Sequence, residues 1–264
     1  MPNVTRLLSG LAVAALIAGA ARRTRALSPS GAVAAVVVGT AAVAAGWDWG
    51  ALLVAFFLAS TLLSRVRRSQ KASAAAAIVA KGDERDAVQV LANGALFALA
   101  AVAAIAAPGG PWRAAGAGAL AAATSDTWST EIGMLSLRAP RSIVTWRPMP
   151  PGTSGGVTLL GLFGAVLGAA FIEMVTLGVH WSGQTAAAAL AGGIAGSLAD
   201  SVLGATVQQR RWCDRCRQAT ERAEHACGAP TRLAGGLAWL DNDGVNVACT
   251  LVGAAVACAI AWRP

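Results

Sequence analysis

The chain has 264 residues, a mean hydropathy of +0.58 and only 13% charged residues, about half the share usual in a soluble domain. Its 21 Lys and Arg outnumber 13 Asp and Glu, giving a pI near 10.5, but the basic residues stand in short runs between long apolar stretches. That pattern argues against a nucleic-acid partner, leaves no room for a separate soluble domain, and makes 1–264 a single integral membrane domain.

Eight apolar segments follow one another, at 7–21, 31–46, 50–64, 87–107, 112–137, 156–179, 186–207 and 244–262. The first could be taken for the core of a signal peptide. Only Arg6 precedes it, however, and further apolar segments follow at once, so it reads as a span. The first three segments fall short of the roughly 20 residues that a crossing helix needs. Flanking residues extend them, with a re-entrant segment as the other reading of one. The expected architecture is an all-α polytopic transmembrane bundle of about eight spans. Placing the loop after the first segment inside puts 18 of the 21 basic residues in inner loops, leaving only Arg6, Arg113 and Arg263 elsewhere. The positive-inside rule then sets both termini outside and predicts a multi-pass protein of the plasma membrane. Trp47, Trp49, Trp112, Trp181 and Trp262 fall at outer edges, and Trp146, Trp212 and Trp239 at inner ones, as interfacial tryptophans do.

Polar groups inside the spans are costly and need a reason. The fourth segment opens with Asp86, Gln89 and Asn93 on one helical face. The fifth carries Asp126 and Glu131, the seventh Asp200, and the eighth is entered through Asp241 and Asp243. All lie in the cytoplasmic halves of their segments. Hydrogen bonding between helices accounts for a lone Asn or Ser. Asp126, Asp200 and Asp243 together point to an inward-facing cavity.

Before the sixth segment, Gly152, Thr153, Ser154, Gly155 and Gly156 form a glycine-rich turn with two hydroxyls, with Arg147 just upstream. Such a turn ahead of a helix N-terminus can cradle phosphate. The plainer reading is an ordinary turn with a Ser cap. No P-loop pattern is present. Acids, a phosphate cradle and basic residues at one interface suggest Mg²⁺-assisted chemistry on a phosphorylated substrate, with Asp126, Asp200 and Asp243 as ligands and Asn93 and Glu131 completing the polar shell.

The loop 208–232 holds Cys213-x2-Cys216-x8-His225-x-Cys227, a spacing that offers four ligands to one zinc. Free thiols or a redox pair are the other readings, and a reducing-side loop disfavours a disulfide.

The stretches Arg85-Asp86, Asn93-Gly94, Ser125-Asp126-Thr127-Trp128-Ser129-Thr130-Glu131, Gly152-Thr153-Ser154-Gly155-Gly156, Ala199-Asp200-Ser201 and Asp241-Asn242-Asp243-Gly244 resemble the DUF92 family of membrane proteins, as does the Cys/His loop. The resemblance covers most of the chain beyond about residue 30. That family includes the transmembrane protein 19 group and plant phytyl-phosphate kinases, with a more distant similarity to the CTP-using phytol and dolichol kinases. It implies a membrane enzyme that phosphorylates an isoprenoid monophosphate. The partners expected are therefore a lipid phosphate, a nucleoside triphosphate and membrane lipids. Two other readings are a transporter with an inward-facing acidic site and a zinc-bearing membrane scaffold. A transporter would place its polar groups at the midplane, at broken helices.

Overall fold

The computed structural model describes residues 4–66 and 84–262. Arg67, Arg68, Lys71, Lys81 and Arg263 lie outside them. The described residues form eight helices: α1 Val4–Arg23, α2 Pro29–Ala45, α3 Trp47–Arg65, α4 Ala87–Ala106, α5 Trp112–Gly133, α6 Leu159–Gly178, α7 Gly183–Thr206 and α8 Asn242–Ala261. Six of them are long and apolar enough to cross a membrane. The other two are α2, with 17 residues, and α5, with 22 and a polar run from Thr124 to Glu131.

Helix starts follow from local chemistry. Ser28 caps α2 with Pro29 at the first turn, while Thr158, Ser182 and Asp241 cap α6, α7 and α8. Asp86 and Gln89, grouped above with Asn93 as one polar face, form a reciprocal capping box at the start of α4. Their shared face is a consequence of that cap.

α5 is the central helix. Ala114 and the run from Gly116 to Ser125 are buried against α3, α4, α6, α7 and α8. Close approach is built from small residues: a Cβ on Gly118 would collide with the Gly253 carbonyl and the Ala257 methyl of α8. The abundance of Ala and Gly is thus a packing requirement here.

The two ends of the bundle differ. At one end the α1–α2 turn pairs with the entry to α4, Ser28 N–H donating to Arg85 O (3.0 Å) and Arg85 N–H to Ala26 O (3.1 Å). Arg65 donates to Thr24 O (3.1 Å) and Arg22 pairs with Glu84 (3.2 Å). At the opposite end Asp48 accepts from the Trp181 indole (2.7 Å) and meets Arg113 at 3.6 Å. Trp49 and Trp181 are not interfacial: they are buried, with ring centres 4.9 Å apart, and Trp49 also meets Phe97 at 5.2 Å. A small aromatic core closes that end because α3, α4 and the α6–α7 turn converge there.

The arginine-rich end carries short antiparallel strands, a detail that hydropathy does not reveal. β1 (Arg141–Ser142) pairs with β2 (Gly156–Val157), and β3 (Arg210–Cys213) lies between β4 (Gln218–Thr220) and β5 (Arg232–Gly235). Reporter fusions at Arg25, Arg138 and Arg215 are expected on the cytoplasmic side, and fusions at Gly109 and Gln184 on the other. Any of the first three reporting with the second pair overturns this orientation.

Candidate functional site

Asp126 on α5 and Asp200 on α7 are electrostatic neighbours at the arginine-rich end. Two carboxylates this close repel one another unless a proton or a cation is shared between them. Asp200 Oδ2 is buried and has no hydrogen-bond partner among the described residues. Mg²⁺ commonly takes one or two carboxylates and completes its shell with water and phosphate oxygens, so this donor set fits that ion. Other polar groups on α5 are structural: Ser125 donates to Ala165 O of α6 (2.8 Å), and Thr124 and Thr127 bond back to their own helix.

The glycine-rich turn lies against the C-terminal end of α7. Gly155 has φ 78°, and a Cβ there would collide with Ala205. The turn does not open directly into a helix. β2 intervenes, and α6 is capped by Thr158. Ser154, placed in the phosphate cradle with a helix cap as the plainer reading, is not a cap: it donates its hydroxyl to Glu221. Gln208 holds both partners, its amide donating to Ser154 Oγ (2.9 Å) and to Glu221 Oε1 (3.1 Å). Burial pushes the Glu221 carboxyl above the usual range, the Ser154 hydrogen bond opposes this, and Asp241 adds to it. The charge of Glu221 also bears on Asp200. Asp126, Asp200, Glu221 and Asp241 are therefore linked electrostatically, an acidic set drawn from two helices, a loop and a helix cap. Sequence reasoning missed Glu221, which lies in a polar loop without period; its proximity to the Cys/His motif was the one available signal.

The remaining residues divide. Asp243 is buried in the first turn of α8, beside α5 and α7. Asn93 lies nearly two turns into α4, bonded to Gln89 O (3.0 Å), and borders an apolar cavity rather than the acidic set. Glu131 faces Arg85 electrostatically: burial lowers the guanidinium's pKa and Glu131 raises it. Arg147 is exposed in the turn between Ser142 and the glycine segment.

In the Cys/His loop the ligand atoms of Cys213, Cys216, His225 and Cys227 all lie within 4.8 Å of one another. Cys213 Sγ and Cys227 Sγ are 3.7 Å apart. Tetrahedral Zn–S bonds of about 2.3 Å require a sulfur separation of about 3.8 Å. His225 Nε2 is buried without a hydrogen-bond partner among the described residues. The hydrogen bond from His225 draws Cys227 down to about 6, and neighbouring Cys227 pushes Cys216 up to about 11. The set fits zinc.

Apolar helices threading the bilayer around a polar central helix, with buried acids at one end, define a polytopic helical membrane protein. The chain belongs to the integral membrane protein DUF92 family, and the match runs over residues 12–254. It is 30% identical to Protein PGR of Arabidopsis thaliana, over 94% of this chain and 93% of that protein. The uncharacterized membrane protein MJ0933 of Methanocaldococcus jannaschii is 33% identical over 80% of this chain and 87% of its own length. Protein VTE6, chloroplastic, also of Arabidopsis thaliana, is 28% identical over 88% of this chain and 64% of that protein. No solved structure matches the chain.

Proposed function

We propose that the chain is a membrane-embedded phosphoryltransferase that converts an isoprenoid monophosphate to the diphosphate, using a nucleoside triphosphate at the arginine-rich, cytoplasmic end. The observation that carries this reading is the half-buried Asp126–Asp200 pair at the arginine-rich ends of α5 and α7, with Asp200 Oδ2 shielded from solvent and unpartnered among the described residues. Family membership and the likeness to VTE6 support it.

In the reaction a terminal phosphate oxygen of the lipid attacks the γ-phosphorus. The bridging β–γ oxygen bond breaks, and the nucleoside diphosphate leaves with that electron pair. The attacking oxygen is already anionic, so positioning and charge neutralisation dominate the work. Asp126 and Asp200, with Asp243 of α8 as a candidate third ligand, would hold Mg²⁺, whose charge would offset that of the phosphates. Ser154 and the Gly155 turn, held by Gln208 and Glu221, would bound the nucleotide phosphates. We propose in addition that Cys213, Cys216, His225 and Cys227 hold a structural zinc that fixes the loop bearing Glu221.

A transporter fits the arrangement less well. The acids lie at one end of unbroken helices, whereas transport sites favour the midplane and interrupted helices. Purified protein incubated with a panel of prenyl monophosphates and each Mg-nucleotide is expected to form a prenyl diphosphate. No product with any pair overturns the reading.

A further inference from the structure

A second feature lies on the other side of α5. Helices α1 to α4 line a half-open cavity of about 350 Å³, within the size range of small-molecule sites. Its walls are apolar, with Ile17, Val38, Val54 and Phe57 among them. Along α3 it reaches from Trp47 to Phe57, about 15 Å at the helical rise. Only its inner end is polar, where Arg85, Gln89, Asn93 and Thr127 border it.

Arg85 also borders a smaller pocket of about 50 Å³ at the arginine-rich end. That pocket is lined by Arg25 and Arg65 together with the hydroxyl residues Thr24, Thr61 and Ser64. Three arginines and three hydroxyl residues bordering a space of this size suit a phosphate, because arginine can offer it paired N–H donors. Arg85 keeps its positive charge at any working pH. An apolar chamber ending in a cationic pocket has the shape of a single-chain lipid with a phosphate head. Thr127, which borders the chamber, directly follows Asp126 in α5, so the chamber's inner end lies at the same level of that helix as the acid pair.

Resting on the phosphoryl-transfer reading, we propose that the α1–α4 cavity holds the hydrocarbon chain of the lipid monophosphate and that Arg25, Arg65 and Arg85 hold its phosphate. The cavity then acts as a ruler for chain length, and the phosphoryl acceptor reaches the acid pair from the α4 side, opposite the glycine turn.

The test is equilibrium binding of radiolabelled geranylgeranyl monophosphate to detergent-solubilised protein without nucleotide. Geranyl monophosphate, geranylgeraniol, inorganic phosphate and phosphatidic acid are the competitors. Geranylgeranyl monophosphate is expected to bind at least about tenfold more tightly than the alcohol, reflecting the charged hydrogen bonds, while inorganic phosphate competes weakly. Val54→Trp and Ile17→Trp, which fill the chamber, are expected to weaken geranylgeranyl binding about tenfold or more and to spare geranyl monophosphate. Arg85→Gln is expected to remove the preference for phosphate over alcohol, and Arg85→Lys to restore part of it. Equal binding of phosphate and alcohol by the native protein, equal competition by two-chain phosphatidic acid, or a chain-length preference untouched by both Trp variants overturns the proposal. Binding without turnover would instead overturn the transfer reading and leave the lipid site standing.

Discussion

Replacing Asp126 or Asp200 with Asn is expected to lower nucleotide-dependent phosphoryl transfer about a hundredfold or more while the protein remains folded. Asn is nearly the same size as Asp, so the packing of α5 against α7 survives. What disappears is one anionic ligand for the ion that carries the phosphates. The pair brings two like charges together in a half-buried place, a repulsive arrangement without a cation or proton. Removing one charge is therefore expected to hold or raise thermal stability in detergent even as activity falls. Opposite movement of stability and turnover is the signature of a site. Structural glue behaves otherwise: each Asn variant would melt lower and keep its turnover per folded molecule. Activity measured beside a melting curve, at several Mg²⁺ concentrations, separates the two outcomes. Partial rescue by high Mg²⁺ further supports a ligand role.

The protein purified without chelator is expected to contain about one zinc per chain, and Cys213→Ser to lose it. The loss should spread. Cys213 ends β3, the middle strand of the loop's sheet, and the same loop carries Glu221 to Ser154. Chelation is expected to lower the melting temperature and to make the loop sensitive to protease, because a compact loop held by so few strands relies on its metal for shape. Elemental analysis finding no zinc in untreated protein ends this assignment. Cys249→Ala, in α8 and remote from the four ligands in sequence, should leave the zinc content unchanged.

The helical spans were legible because hydropathy acts over long windows. Even the polar entry to α4 announced itself, although Asp86 and Gln89 proved to be its cap. Asp126 and Asp200 were legible for a related reason, since a carboxylate within an apolar run is conspicuous. Glu221 was not. A loop acid resembles any solvated charge until Ser154 and Gln208 are brought against it by the folding of β2 onto the end of α7. Trp49 misled in the opposite direction: its position at a segment edge suggested the interface, whereas convergence with Phe97 and Trp181 buries it. The α1–α4 cavity was illegible because empty space arises from the angles between helices, and Ile17, Val38 and Val54 look the same in sequence whether they touch a neighbour or line a void. The paired short strands escaped notice because two to four residues are too few to establish a period.

The character of α5 also bears on how the molecule is made. Its first half, through Ser125, meets protein on nearly every side, from helices both earlier and later in the chain, and the acid-bearing half that follows is still partly covered by them. A nascent chain ending at Gly133 would offer this segment to lipid with Asp126 and Glu131 uncovered, each costing about 2.5–3.5 kcal/mol near the middle of a bilayer and less toward its edge. Stable insertion of α5 therefore waits on α6, α7 and α8, which arrive afterwards. Biogenesis must tolerate an interval in which the future centre of the protein is its least membrane-compatible part, held by the insertion machinery or by shallow placement until its later neighbours enclose it.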